Sequence, residues 1–191
     1  MNALILPLIS FAFVSSITPG PNNLMLMASG ANFGFRRTLP HMLGVALGFT
    51  FMVWLMGQGA AQVFARWPVL RTALEVVSVV YMLWLAWKIA HASAPGEGVV
   101  GQPMTFWQAA AFQWVNPKAW AMALGAVTIY AILGPLMIAL VFGAVNLPSV
   151  AVWVLMGQGL RHWLGNPTRL RAFNWSMAAL LVASLYPVLM H

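Results

Sequence analysis

Six long apolar runs dominate the sequence and limit what the chain can fold into. A helix of about 20 apolar residues crosses the hydrocarbon core of a membrane, and each run reaches that length. Only 6% of the residues are charged and none is Asp, whereas about a quarter of a soluble domain is charged. The runs cover residues 3–29, 38–63, 68–90, 106–132, 135–161 and 168–189. The sequence therefore predicts an all-α integral membrane protein with six transmembrane helices.

The positive charges predict how these helices are oriented. The formal net charge is +7, but the cations stand singly or in pairs at the ends of apolar runs, which is typical of membrane orientation and not of a nucleic-acid interface. If the N-terminus is outside, the positive-inside rule is obeyed by six cations against two, Arg66 and Arg71. The six are Arg36, Arg37, Lys88, Arg161, Arg169 and Arg171. Both termini are then predicted outside, with membrane lipid around the chain and no nucleic-acid partner.

Three landmarks recur in the same order in the two halves of the chain. The first run is interrupted by TPGPNN and the fourth by WVNPKAW, and the second and fifth runs each end in MGQG. The third and sixth runs each open with a proline and then an arginine, Pro68 and Arg71 in one and Pro167 and Arg171 in the other. Chance explains one such match but not three in order. We predict two three-helix repeats, 1–90 and 106–191, joined by a linker at 91–105. Because each repeat crosses the membrane three times, the second is inverted relative to the first.

The interrupted runs are the candidate binding site. Pro19, Pro21 and Pro117 leave backbone groups without helical partners, and these are tolerated at membrane depth only inside protein or beside water. Paired broken helices in two halves indicate a substrate site, where half-helix ends bind charged groups. The polar residues beside the breaks are Asn22, Asn23 and Asn116. A simple packing kink is the alternative.

Lys118 and Glu75 are the ionisable residues of most interest within the runs. Lys118 lies about 12 positions from the ends of its run, roughly 18 Å along a helix, so its side chain must face the interior or a cavity. It either attracts a substrate carboxylate, pairs with a protein carboxylate, or binds carbonyls freed at the break. Glu75 follows Arg71 by four residues, which favours a structural ion pair; a role in proton coupling is the alternative.

The remaining motifs carry less chemistry. The two MGQG steps are predicted to serve helix packing, since glycine permits close approach and glutamine bonds across helices; their residues are Gly57, Gln58, Gly59, Gly157, Gln158 and Gly159. The sequence has no Cys and no His ligand spacing, so we predict no metal site. It has no nucleotide-binding P-loop and no set of catalytic groups, so we predict neither a cofactor nor an enzyme.

Three segments carry a resemblance to a known family. They are TPGPNNLMLMASGANFGFRR with the following LPHMLGVALGF, then YMLWLAWKIA, then FQWVNPKAWAMALGA. In this order they resemble the LysE/RhtB family of bacterial amino-acid exporters over essentially the whole chain. The resemblance implies a six-helix inner-membrane exporter driven by the proton motive force. It implies two motif regions at Thr18, Pro19, Gly20, Pro21 and Asn22, and at Asn116, Pro117 and Lys118.

The substrate follows less directly from the resemblance, because related exporters move both basic and neutral amino acids. Some relatives carry membrane-embedded aspartates, and this chain has no Asp. We therefore expect a neutral amino acid such as homoserine, threonine or O-acetylserine. The alternatives are an exporter of basic amino acids, or a cation or metal-ion exporter or channel of similar inverted-repeat fold. A homo-oligomer is compatible with the sequence.

Overall fold

The computed structural model describes residues 2–92 and 102–186, and every regular element in these ranges is helical. The α-helices are α1 Asn2–Ile17, α2 Pro21–Phe33, α3 Phe35–Leu55, α4 Ala61–Arg66, α5 Pro68–Ala90, α6 Phe106–Phe112, α7 Pro117–Ile129, α8 Pro135–Leu160 and α9 Pro167–Ala183. Short 3₁₀ turns lie at Gln113–Val115, Ala131–Leu133 and Trp163–Gly165, and one π-turn lies at Met56–Ala60. Most of the predicted linker, 93–101, lies outside the described residues.

Proline residues and one capping box determine where several helices begin. Helices α2, α5, α7, α8 and α9 each have proline in the first turn, where the missing N–H leaves no hydrogen bond unmade. Helix α6 instead begins with a capping box, in which Thr105 and Gln108 each bond the other's backbone. The predicted breaks at TPGPNN and WVNPKAW are therefore true helix boundaries. The first lies between α1 and α2, and the second lies between α7 and the 3₁₀ turn that follows α6.

The two MGQG steps adopt different conformations although their sequences are identical. The first forms the π-turn after α3, with Gly59 at a φ of 112°. The second continues α8 as regular α-helix up to Leu160. A positive φ is accessible to glycine and strained for other residues, so the first step marks a change of direction and the second does not.

Helix α8 is the centre of the packing. It contacts α1, α2 and α3, while α3 also contacts α6, and α5 contacts α9. The approach of α8 to α2 is close because glycines stand at the contact: a Cβ on Gly157 would overlap the carbonyl oxygen of Met27, and one on Gly30 would overlap the backbone of Val154. Apolar side chains fill the layer between α1, α3, α7 and α8, among them Phe49 and Phe142.

Many large apolar side chains lie on the outside of the bundle. Val69 and Trp107 are more than three-quarters exposed, at 78% and 77%. Exposed apolar surface of this kind is unfavourable in water but favourable in the hydrocarbon of a membrane. By length and hydropathy, three helices of the described chain can cross a membrane, namely Phe35–Val63, Thr72–Ala90 and Pro135–Leu160, or four if Ala3–Ile17 and Pro21–Phe33, bent by 55°, count as one span.

Two of the six predicted spans are outside that count for identifiable reasons. The fourth, 106–132, consists of short α6, a 3₁₀ turn and α7, so no single helix there is long enough. The sixth, 168–189, corresponds to α9, which has 17 residues and a polar first half, and residues 187–191 lie outside the described range. The fold is thus that of an all-helical protein with several apolar helices.

Candidate functional site

The two breaks lie against each other through Lys118. From the first turn of α7, its Nζ donates to the carbonyl oxygen of Thr18 at 2.7 Å, to Thr18 Oγ1 at 2.9 Å and to the carbonyl oxygen of Pro19 at 3.2 Å. An ammonium group has three hydrogens to donate, and the three oxygens use them all. Of the roles open from the sequence, this geometry matches binding to carbonyls freed at the break, because all three partners are uncharged oxygens.

The carbonyl groups at the end of α1 each accept a hydrogen bond from a side chain. Asn23 Nδ2 donates to the carbonyls of Ser16 and Thr18 at 2.8 and 2.7 Å, and Trp153 Nε1 donates to that of Ile17 at 3.0 Å. A helix C-terminus carries partial negative charge, which the Lys118 ammonium also compensates. The break between α1 and α2 is therefore stabilised by side chains from α2, α7 and α8.

Amide side chains connect the two broken segments a second time. Asn22 Nδ2 donates to Gln113 Oε1 at 2.8 Å, and Gln113 Nε2 donates back to Asn22 Oδ1 at 3.2 Å. Asn116 Oδ1 accepts from the backbone N–H of Lys118 at 3.1 Å and so caps α7. The first break thus contributes carbonyls and one amide, and the second contributes an ammonium group, a helix cap and another amide.

Gly20 allows this close contact between the breaks. A Cβ built on Gly20 would lie 2.6 Å from Lys118 Cδ and 3.1 Å from its Nζ. The backbone of Gly20 is extended, a conformation open to any residue, so the reason for glycine here is space. A side chain at this position would push the Lys118 side chain off its carbonyl partners.

A small polar cavity lies beside Lys118. Its lining includes six serine and asparagine side chains, together with Gly20 and apolar groups such as Phe49. The cavity has a volume of about 20 Å³, which is room for about one water molecule. The six are Ser15, Ser16, Asn22, Asn23, Asn116 and Asn146. An amino acid is too large for this volume.

Five of the predicted site residues contribute without lining the cavity. Thr18 and Pro19 present oxygens to Lys118 but do not line the cavity. Pro21 and Pro117 begin α2 and α7. Glu75 lies half-buried on α5, away from the cavity lining, and because the Arg71 side chain is outside what the structure describes, the Arg71–Glu75 pair stays a prediction.

Gly57, Gly157 and Gln158 lie at helix contacts outside the cavity lining, whereas a Cβ on Gly59 or Gly159 would meet no atom within 4 Å. Gly57 faces the ring of Pro135 and Gly157 the backbone of Met27. Gln158 Oε1 accepts from the backbone N–H of Phe35 at 2.5 Å, which satisfies a free donor at the start of α3.

Sequence reasoning missed four residues of this region: Ser15, Ser16, Gln113 and Asn146. Asn146 is buried near the middle of α8, where its Nδ2 donates to Ser16 Oγ at 3.1 Å. An asparagine inside a long apolar run is itself a signal, because a polar side chain at membrane depth is expensive without a partner.

The family described as LysE type translocator matches residues 13–185. A cysteine/O-acetylserine efflux protein of Salmonella paratyphi A is 34% identical over 109 residues, and one of Escherichia coli K12 is 31% identical over 109 residues. Each alignment covers 57% of this chain and 56% of the relative, so the match spans about half the length of these curated relatives.

No solved structure matches the chain. The family match, in contrast, covers nearly all of it and includes both breaks, TPGPNN and WVNPKAW. The resemblance found in the sequence is thereby confirmed. The chain belongs to the LysE type translocator family, whose members are membrane transporters and not enzymes.

Proposed function

We propose that the protein is a secondary transporter that exports small neutral amino acids, of the cysteine and O-acetylserine type that its relatives are named for. One observation carries the proposal: Lys118 of one broken segment binds the exposed carbonyls of the other, beside a cavity lined with amides and hydroxyls. Paired broken helices form substrate sites in secondary transporters. The absence of a P-loop motif from the sequence favours a gradient as the energy source.

The architecture that we propose is two inverted three-helix repeats, 1–90 and 106–191, with six spans. The order of elements supports it. In each half a broken helix is followed by a glycine with positive φ, Gly34 at 78° and Gly134 at 79°, then by a long helix and a proline-initiated one. Helix α1 contacts α8 while α6 contacts α3, so the corresponding elements exchange partners between halves.

The proposed location is the bacterial inner membrane, with both termini outside and lipid against the exposed apolar side chains. Arg36, Arg37 and Lys88 then lie on the cytoplasmic side, as the positive-inside rule favours. Assembly as a homo-oligomer remains part of the sequence-based prediction. Coupling to the proton motive force rests on the family resemblance, and Glu75 is its candidate residue.

Lys118 gives the proposal a mechanism. A carboxylate binds an ammonium group more strongly than a neutral carbonyl does, because both partners are charged. A substrate carboxylate that reaches Lys118 would therefore displace the carbonyls of Thr18 and Pro19. This exchange loosens the contact between the two breaks, and the cavity widens as the substrate takes the place of the protein oxygens.

The charges around the cavity favour a neutral amino acid over a basic one. Lys118 is a cation, and no acid is present in the described lining. A second ammonium or guanidinium group of the substrate would be repelled by Lys118 and would find no carboxylate. The same absence disfavours a cation or metal-ion pathway, which needs acidic or His/Cys ligands.

The test compares amino acids released by cells that express the protein, its Lys118→Ala variant or its Lys88→Ala variant, at equal membrane abundance. The chain has these two lysines, and Lys88 lies at the end of α5 over the ring of Trp84, outside the cavity lining. Removing Lys88 deletes the same charge without touching the site.

Mass spectrometry of the medium gives the result. We expect excess release of one or a few neutral amino acids by the unaltered protein and by Lys88→Ala, and loss of that release in Lys118→Ala. Release of basic amino acids alone would favour the alternative substrate class. Equal release by Lys118→Ala would remove the site role of this lysine.

A further inference from the structure

The side-chain oxygen of Asn146, Oδ1, is a buried hydrogen-bond acceptor without a partner in the described chain. The residue is 5% exposed and lines the cavity from α8. Its Nδ2 donates to Ser16 Oγ, while its buried Oδ1 has no hydrogen-bond partner within the described chain. An acceptor buried without a partner destabilises a fold, which makes a ligand the natural partner of this oxygen.

The other amides that line the cavity are engaged in the protein's own structure. Asn22 pairs with Gln113, Asn23 binds the carbonyls at the end of α1, and Asn116 caps α7. Each of these bonds stabilises a break. Asn146 is different, because its carbonyl oxygen has no partner in the described chain and the residue lines the cavity together with Lys118.

The two groups match the two charged ends of an amino acid. A carboxylate only accepts hydrogen bonds, whereas an ammonium group only donates them. Lys118 Nζ can bind the first and Asn146 Oδ1 the second. We infer that Asn146 is the acceptor for the substrate's α-ammonium group and selects zwitterions over simple carboxylates; this inference rests on the proposed function.

The neutral charge of Asn146 adds to the selection. An amide oxygen can stabilise one ammonium group, whose charge the substrate's own carboxylate balances. A second cationic group would need a full negative charge nearby, and neither Asn146 nor Lys118 supplies one. A carboxylate in place of this amide would therefore shift the site toward basic amino acids.

The test measures equilibrium binding of three probes to the purified full-length chain in detergent. O-acetylserine is the zwitterion, 3-acetoxypropanoate has the same skeleton without the ammonium group, and lysine is the basic amino acid. We expect the unaltered protein to bind O-acetylserine about 10- to 100-fold more tightly than 3-acetoxypropanoate, the ratio for one charge-assisted hydrogen bond.

Two substitutions at this position should change the binding preference in different ways. Asn146→Leu removes the oxygen, so both acetoxy probes should bind equally, with the affinity for 3-acetoxypropanoate unchanged. Asn146→Asp keeps the shape and adds a charge, so the preference for O-acetylserine should persist and lysine should bind at least 10-fold more tightly. Ser149→Ala is the matched control: Ser149 is buried on the same helix, bonds the backbone of Val145 and does not line the cavity.

The outcomes separate this inference from the proposed function. If the unaltered protein binds none of the probes, the proposed function and the role of Asn146 both fail. If it binds and discriminates, and Asn146→Leu discriminates equally well, the role of Asn146 alone is overturned. Should Asn146→Leu not fold, an Asn146→Asp variant with unchanged affinity for lysine would overturn the role by itself.

Discussion

Alanine substitutions at Gly157 and Gly159 should have opposite effects, although the two glycines are two residues apart in α8. A Cβ on Gly157 would overlap the carbonyl oxygen of Met27 and lie 2.9 Å from the backbone nitrogen of Ala31. A Cβ on Gly159 would meet no atom within 4 Å. The intrinsic preference of a helix for alanine is the same at both positions to a first approximation, so their difference reports the packing of α2 against α8.

The structure allows the size of this difference to be worked out. Replacing glycine by alanine within a helix gains about 1 kcal/mol at either position. Overpacking costs about 1–3 kcal/mol, and at Gly157 the upper end applies, because the clashing atoms are backbone and cannot rotate away. Gly157→Ala should therefore be about 3 kcal/mol less stable than Gly159→Ala.

Thermal unfolding in detergent, followed by the fluorescence of the ten tryptophans, measures the effect. For a chain of this length, 1 kcal/mol corresponds to about 2–4 °C, so Gly157→Ala should unfold roughly 6–12 °C below Gly159→Ala. Equal midpoints would refute the close approach of α2 and α8 at Gly157.

Four further substitutions test other parts of the structure by the same assay. Gly59→Ala should destabilise the protein by about 1–3 kcal/mol through its φ of 112°; a stability gain like that of Gly159→Ala would contradict the π-turn. Asn116→Ala and Asn166→Ala each remove a helix cap and should each cost about 1 kcal/mol, but Asn116→Ala alone should also reduce export, and an equal reduction by both would separate Asn116 from the site. His41→Leu should leave the midpoint unchanged or raise it, because both buried ring nitrogens lack a partner in the described chain; a drop of several degrees would show that a ring nitrogen does form a hydrogen bond.

The breaks and most helix starts could be predicted from local sequence. Proline fixes where a helix can begin, and this holds at Pro21, Pro117 and Pro167, where α2, α7 and α9 start. The repeated order of landmarks also predicts corresponding elements in the two halves, and that correspondence stays a prediction. These features depend on one or a few neighbouring residues, which is why a single sequence contains them.

Contacts between distant residues could not be predicted in the same way. The bonds from Lys118 to Thr18 and from Asn146 to Ser16 join residues 100 and 130 positions apart. Nothing in the local sequence distinguishes the three roles considered for Lys118, because its partner depends on how α7 lies against the end of α1. Asn146 was missed for the same reason, although its polarity within an apolar run is visible.

The two MGQG steps show how tertiary structure overrides local sequence. Four identical residues form a π-turn in one place and regular α-helix in the other. The first copy lies where Gly57 meets Pro135 and the chain changes direction, and the second lies along α2. A sequence-based prediction assigns both the same role in packing and cannot assign their different conformations.

The most direct test of the proposed transport uses the purified protein in liposomes loaded with labelled O-acetylserine. We expect the label to leave these liposomes faster than protein-free ones, an inward proton gradient to accelerate its release, and Lys118→Ala to abolish the acceleration. Release at the rate of protein-free liposomes, with and without the gradient, would contradict the claim that this chain exports small neutral amino acids.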